Sequence, residues 1–191
     1  MQDTDISAST NQSPRWQQWV RPTLIAAVAI LLNVLAYYLI PPNFAHRLGA
    51  FGYLGVFIIT FVANATVVVP VPYIGLIVRM AQIMDVGGVV LAGALGSAMG
   101  ESVAFFVGRA GRETMNDTPL YRWVQRQMKH PWRAFAVLFM LAAPPNPAFD
   151  VAGLTAGAMG LPFWLFFCAV FLGRVIRIAI FAMGGAWFTG G

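Results

Sequence analysis

Long apolar blocks, two of them broken by closely spaced prolines, restrict the folding of this chain more than any other feature. Two apolar blocks each contain a pair of prolines separated by a single residue. Block 51–84 contains the pair Pro70 and Pro72, and block 134–161 contains the pair Pro145 and Pro147. Proline removes a backbone donor and clashes with the preceding turn, so neither block can form one continuous helix. In a bilayer such a break survives only where protein buries it or a cavity hydrates it. We therefore predict a re-entrant helical hairpin over each block.

The composition excludes a soluble globular fold. Of the 191 residues, 59% are hydrophobic and 10% are charged, whereas soluble domains carry roughly 45–50% apolar and about 25% charged residues. Residues 23–40, 86–107 and 163–188 are apolar blocks that are long enough to cross a bilayer core of about 30 Å as helices. We predict an all-α polytopic membrane protein with a single membrane domain over 23–191, preceded by a disordered N-terminus over 1–22.

The two proline breaks also reveal an internal repeat. When Pro70 is superimposed on Pro145 and Pro72 on Pro147, Glu101 falls on Ile176, between Arg174 and Arg177. Each half is then a broken hairpin followed by one span with charge near its middle. The sequence predicts two repeats of the same architecture, preceded by one N-terminal transmembrane helix.

Basic residues predict the orientation of these repeats. Arg15, Arg21 and six residues of the loop 109–133 account for eight of the twelve Lys and Arg, and such residues favour the cytoplasmic side. The N-terminus and this loop are then cytoplasmic and the C-terminus lies outside, in the cell membrane. The halves run in opposite directions, as in many secondary transporters, whose site lies near the midplane where broken helices meet.

Charged residues at membrane depth are the candidate functional residues. Glu101 costs roughly 2.5–3.5 kcal/mol within a span unless it is protonated or paired. It is therefore either a proton site or substrate gate, or an ion pair with Arg174 or Arg177 that only fixes helix packing. The two arginines lie three residues apart and project from one helix face, with planar guanidinium groups that match phosphate. They either receive an anionic headgroup or form buried pairs with Glu101 and Asp150.

Three other candidates have a structural alternative. Arg79 either belongs to the site or extends from the end of its half-helix to the membrane interface. Asp150 is either a coupling site or the N-cap of a short helix after the second break. Asn146 is either a polar contact at the tip of the hairpin or a turn former.

Several of these residues resemble a known family in both order and spacing. The residues Gly96, Gly100, Glu101, Phe105, Gly108, Arg109 and Gly111 resemble the G-x3-G-[DE]-x3-[YF]-x2-G-R-x-G segment of the DedA/SNARE-associated Golgi protein (VTT domain) membrane proteins. The two re-entrant loops of that family and its following helix are similar to Pro70-Val71-Pro72, Pro145-Asn146-Pro147, Ala156-Gly157, Phe166 and Gly173. The resemblance extends from residue 49 to residue 188.

The resemblance implies two opposed re-entrant hairpins and a role in moving or scrambling lipids, including phospholipids and phosphorylated polyprenyl carriers. It also implies proton coupling, as proposed for bacterial members. This chain is a divergent member, because the family's carboxylates beside the first break and arginines around the second are replaced here. The residues in those regions are Asn64, Ala65, Tyr73, Ile74, Ala142, Ala143, Asn146 and Phe149.

Three classes of function remain: a lipid or lipid-phosphate translocase, a proton- or ion-coupled transporter of a small solute, and a membrane enzyme or assembly factor. We favour the first and expect anionic lipid headgroups as partners, leaving protons and a homo-oligomer open. An enzyme is disfavoured because Ser97 has no intramembrane histidine partner. No metal or other cofactor is expected from one cysteine, Cys168, and two histidines outside the long apolar blocks. The basic residues indicate topology, not nucleic-acid binding.

Overall fold

A computed structural model of the chain describes residues 27–28, 30–35, 37–39, 49, 51–65, 73–111, 119–144 and 148–188. Seven helices are bounded within them: α1 (Phe51–Ala65), α2 (Ile74–Ile83), α3 (Val86–Ala110), α4 (Pro119–Gln127), α5 (Pro131–Ala142), α6 (Ala148–Ala158) and α7 (Phe163–Phe188). Residues 30–35 and 37–39 are also helical, and we call them the N-terminal helical segment. All the regular structure in the described part of the chain is helical, as the sequence predicts.

Two of these helices, α3 and α7, are long and apolar enough to cross a membrane. The candidate spans are Val86–Ala110, with a mean hydropathy of 1.6, and Phe163–Gly185, with a mean hydropathy of 2.2. Asp85 begins α3 as its N-cap, because its carboxylate accepts a hydrogen bond from the amide of Gly88 at 2.7 Å. Both helices expose large apolar side chains, among them Leu91, Leu95, Met99, Val103, Val107, Leu172, Ile176, Ile180 and Met183. A surface of this kind suits lipid better than water.

Helix α1 lies parallel to the first half of α3. The facing residues ascend together along the two helices: Tyr53 with Gly88, Phe57 with Gly96, and Phe61 with Gly100. Helix α2 then returns, because Met80 and Met84 at its end lie against Gly52 at the start of α1. The residues between these helices, including Pro70 and Pro72, lie outside the described part of the chain.

The second pair of short helices is divided between the two spans. Helix α5 packs on α7, where a Cβ at Gly173 would lie 2.8 Å from the carbonyl oxygen of Phe139. Helix α6 packs on α3, where a Cβ at Gly157 would lie 1.9 Å from the carbonyl oxygen of Phe105. Helix α2 packs on α7 as well, through Val78 against Gly185. Each span therefore packs mainly against one short helix from each half of the chain.

The helix bounds agree with the two predicted breaks. Helix α1 ends at Ala65 and α2 begins at Ile74, whereas α5 ends at Ala142 and α6 begins at Ala148, so both proline pairs fall between helices. The predicted loop 109–133 contains helix α4 and the start of α5. Proline at the first position of α5 explains that early start, since its missing N–H needs no partner there. Residues 1–22 lie outside the described part of the chain. Of the predicted span 23–40, the structure describes residues 27–28 and the N-terminal helical segment.

Candidate functional site

A buried ion pair joins the two candidate spans near their middles. Arg174 of α7 donates a hydrogen bond from Nη2 to Oε1 of Glu101 on α3. Glu101 is only 4% exposed and Arg174 only 3% exposed. Taking an ion out of water costs several kcal/mol, which only a well-placed partner offsets. Of the two partners that the sequence allowed for Glu101, the structure pairs it with Arg174.

An aromatic ring covers each of the two arginines of α7. The Cζ atom of Arg174 lies 5.0 Å from the ring centroid of Phe149, in the first turn of α6. The Cζ atom of Arg177 lies 6.0 Å from the ring centroid of Tyr73, immediately before α2. Both rings belong to the first turn after an interrupted segment, one in each half of the chain. Residues that follow the two interruptions therefore cover neighbouring arginines of a single helix.

Several buried donors of these arginines have no hydrogen-bond partner among the described residues. Nε and Nη1 of Arg174 and Nε of Arg177 are buried, and none of them meets an acceptor in the part of the chain that the structure describes. A buried donor without a partner costs about 1–3 kcal/mol, and more when it belongs to a charged group. A guanidinium group with unused N–H donors can hydrogen-bond to the oxygens of a carboxylate or a phosphate. The two arginines can therefore donate hydrogen bonds to an anion.

A cavity of about 310 Å³ lies beside Arg177. Its other lining residues are Ala143 and Pro144, which follow α5, and Ile180 and Phe181 of α7. Ile180 is 64% exposed on the outer apolar surface of α7. The cavity therefore connects a cationic side chain with the exposed apolar surface of α7.

The other predicted site residues are placed differently. Arg79 donates from Nη1 to Oε1 of Gln82 at 3.2 Å, and its Cζ atom lies 5.3 Å from the ring centroid of Tyr37. The hydroxyl of Tyr37 donates to the same oxygen of Gln82 at 3.1 Å. These contacts bind α2 to the N-terminal helical segment and are separate from the pair of Glu101 with Arg174.

Other candidates cannot be placed in the same detail. Asp150 lies in the first turn of α6, but its side chain is not among those that the structure describes. Asn146, Pro145 and Pro147 also lie outside the described residues, as do Pro70 and Pro72. Sequence reasoning did not identify Tyr73 and Phe149 as covers of the arginines. The one signal for them is their position directly after the two breaks.

These observations define a class: a helical membrane protein in which an aromatic residue after each of two interruptions covers an arginine of one candidate span, beside a buried ion pair. Comparison with known families then gives the relationship. The VTT domain matches residues 69–187, which is more than half of the chain. The chain belongs to the VTT domain family, and the resemblance to DedA/SNARE-associated Golgi proteins is confirmed.

Several curated relatives are named as vacuole membrane proteins. Vacuole membrane protein KMS1 of Arabidopsis thaliana is 31% identical over 43% of this chain and 24% of its own length. Human Vacuole membrane protein 1 is 30% identical over 43% of this chain and 25% of its own length. The Dictyostelium discoideum homolog is 45% identical over 22% of this chain and 10% of its own length. The chain thus spans about a quarter of the first two relatives, and no solved structure matches it.

Proposed function

We propose that this chain is a lipid or lipid-phosphate translocase that passes an anionic headgroup between the two leaflets of a membrane. The observation that carries the proposal is that Phe149 and Tyr73, which follow the two interruptions, cover Arg174 and Arg177 on one helix. The donors that have no partner among the described residues suit a phosphate, and the cavity beside Arg177 reaches the outer apolar surface of α7 at Ile180. In this function the headgroup meets the arginines while the lipid tails stay along the outside of α7.

We infer that α1 with α2, and α5 with α6, are re-entrant hairpins in inverted repeats. The 15 residues of α1 extend roughly 22 Å at 1.5 Å per residue, which is shorter than a hydrocarbon core of about 30 Å. Helix α1 ends beside Gly100, so its hairpin would turn near the middle of α3. Helix α1 packs on α3 and α2 on α7, whereas α5 packs on α7 and α6 on α3. Exchanging the two halves leaves this packing scheme unchanged.

The orientation follows the basic residues in this proposal. The N-terminus and the basic stretch 109–133 are cytoplasmic, the C-terminus is outside, and the membrane is the cell membrane. The protein acts without a covalent step and is not an enzyme. Its partners are membrane lipids, with protons as a further coupled species.

A movement of two units explains how the headgroup would cross. Helices α1, α3 and α6 form one unit, and α2, α5 and α7 form the other, since these are the most extensive contacts of the two spans apart from the contact of α3 with α7 itself. The pair of Glu101 with Arg174 joins the units across α3 and α7. A phosphate that reaches Arg174 competes with Glu101 for the same guanidinium. Separation of the pair, with or without a proton on Glu101, would then allow the units to rock about the proline breaks.

Reconstitution of the purified protein in liposomes with a fluorescent phospholipid tests the proposal. We expect scrambling by the wild type, and a rate reduced roughly tenfold in Arg177→Ala, since a charge-assisted hydrogen bond is worth roughly 1.5–3 kcal/mol. Glu101→Gln and Arg174→Ala should also change the rate. Arg174→Lys keeps the charge but loses the fork, and Arg109→Gln removes an exposed charge at the end of α3 as a matched control.

Three outcomes would count against the proposal. Wild-type rates in the Arg177, Arg174 and Glu101 variants would remove the assigned roles. No scrambling by the folded wild type would remove the lipid function itself. Uptake of a soluble anion without scrambling would instead identify a small-solute transporter of the same architecture. The same assay with and without a pH gradient decides whether protons are coupled.

A further inference from the structure

Helix α4 and the start of α5 expose a surface on which basic and aromatic side chains are mixed. Its members are Arg122, Trp123, Arg126, Lys129, Trp132 and Arg133, all exposed, and we call them the basic surface. Trp123 is 47% exposed and Trp132 is 84% exposed. From residue 119 to residue 144 the sequence contains no Asp or Glu. Basic side chains therefore outnumber acidic ones at this surface, and the nearest preceding acids in the sequence are Glu113 and Asp117.

Buried neighbours hold this surface at the boundary of the membrane domain. Met128, directly after α4, is 4% exposed and belongs to the same apolar cluster as Phe105 of α3 and Ala134 of α5. Arg133 directly precedes Ala134, which is fully buried. Helix α4 also packs on α6 and α5. The exposed side chains cannot move far from the end of the bundle at which α3 ends and α5 begins.

We propose that the basic surface binds the anionic headgroups of the phospholipid leaflet at which α3 ends. Tryptophan rings favour the depth of the headgroups, and basic side chains close to an anionic leaflet are attracted to it. An amphipathic helix with both features lies in the plane of the interface. A soluble protein or nucleic acid would be able to use the charges, but the two exposed tryptophans and the adjacent membrane domain favour lipid. The inference does not depend on the proposed transport.

Topology alone would also explain basic residues between spans, so the experiment must separate the two roles. The full chain is purified and placed in nanodiscs of phosphatidylcholine, with or without phosphatidylglycerol, where its topology is already set. Hydrogen exchange is then measured for the amides of α4. The amides of α3 serve as an internal reference that should not respond to lipid charge.

We expect phosphatidylglycerol to slow the exchange of α4 in the wild type. The slowing should fall by roughly 25-fold in Arg122→Gln/Arg126→Gln, because each basic residue near an anionic surface contributes roughly fivefold to binding. Arg122→Lys/Arg126→Lys, the matched control, should keep most of the slowing. The effect should also disappear in about 1 M salt, where the Debye length is about 3 Å.

Two results would overturn the inference. One is equal exchange of α4 in neutral and anionic nanodiscs for the wild type, which would leave a soluble partner or topology alone as the role of these residues. The other is undiminished slowing in the double Gln variant. Because hydrogen exchange is read without any transport, both outcomes are distinguishable from failure of the proposed translocase activity.

Discussion

At the scale of single residues, the pair of Glu101 with Arg174 is the least expected feature of a lipid-embedded interior. The two partners should respond differently to removal of the other. Arginine stays charged in proteins, whereas a buried carboxyl can be neutralised by a proton. We predict that Glu101→Gln lowers the free energy of unfolding by roughly 3–5 kcal/mol, that Arg174→Gln lowers it by less, and that Glu101→Gln/Arg174→Gln restores most of the loss. Thermal unfolding in detergent, followed by tryptophan fluorescence, measures all three variants.

Ser97 provides the control for this cycle. It lies one turn before Glu101, is fully buried, and its hydroxyl has no partner among the described residues. Ser97→Ala removes a polar atom at the same depth without breaking a pair, so stability should stay equal or rise by about 1 kcal/mol. Equal losses in Glu101→Gln and Ser97→Ala would mean that polarity at this depth, and not an uncompensated charge, sets the effect.

The sequence identified Glu101, Arg174 and Arg177 as candidate residues, but not which arginine pairs with Glu101. Arg174 belongs to a buried stripe of α7 with Val170, Ile178 and Ala182, each four residues apart. Arg177 falls on the neighbouring stripe and meets Tyr73, immediately before α2. Because α7 is apolar on nearly all sides, its sequence has no periodicity that would orient one arginine towards α3. Packing against other helices decides the partner, and that information is not local.

At the scale of elements, glycine decides how closely the helices approach. A Cβ at Gly157 of α6 would lie 1.9 Å from the carbonyl oxygen of Phe105 on α3. Backbone cannot move aside as a flexible side chain does, so Gly157→Ala must push the two helices apart. We predict a loss of roughly 1–3 kcal/mol, typical of overpacking, measured by thermal unfolding.

Gly55 of α1 is the matched control, because a Cβ there would meet nothing within 4 Å. Alanine is favoured over glycine within a helix by about 1 kcal/mol, so Gly55→Ala should be neutral or stabilising. A similar loss in both variants would show that glycine flexibility, and not close approach of α6 to α3, is what the fold requires.

The positions of the helices were predictable, whereas their neighbours were not. Proline pairs and apolar runs indicate where α3 and α7 begin and where the short helices stop, since both effects act within a few residues. No such rule tells α2 to pack on α7 while α1 packs on α3. In lipid the hydrophobic effect does not select between apolar helices, so small residues and shape make the choice. Val78 against Gly185 is one such contact.

At the scale of the whole molecule, the packing of the two short helices of each half on different spans has a mechanical consequence. A unit of α1, α3 and α6 faces a unit of α2, α5 and α7, and both interrupted segments cross from one unit to the other. Any change in the angle between the units must therefore be absorbed in the connections that join them, which run from α1 to α2, α2 to α3, α3 to α5, α5 to α6 and α6 to α7. The proline pairs occupy the first and the fourth of these connections in the sequence.

The same pair of charges can hold these units together, or take part in transport, or do both, and one variant separates the roles. Glu101→Gln/Arg174→Gln keeps two side chains of similar size that can hydrogen-bond to each other but cannot attract a phosphate as an ion does. We predict that it unfolds within about 1 kcal/mol of the wild type, as balanced replacement of a buried pair allows, yet scrambles lipid at least roughly tenfold more slowly in liposomes. Both measurements use one preparation, with Arg174→Lys as the variant that keeps the charge. Wild-type scrambling by the stable double variant would make the pair a packing device and leave Arg177 as the residue that meets the headgroup.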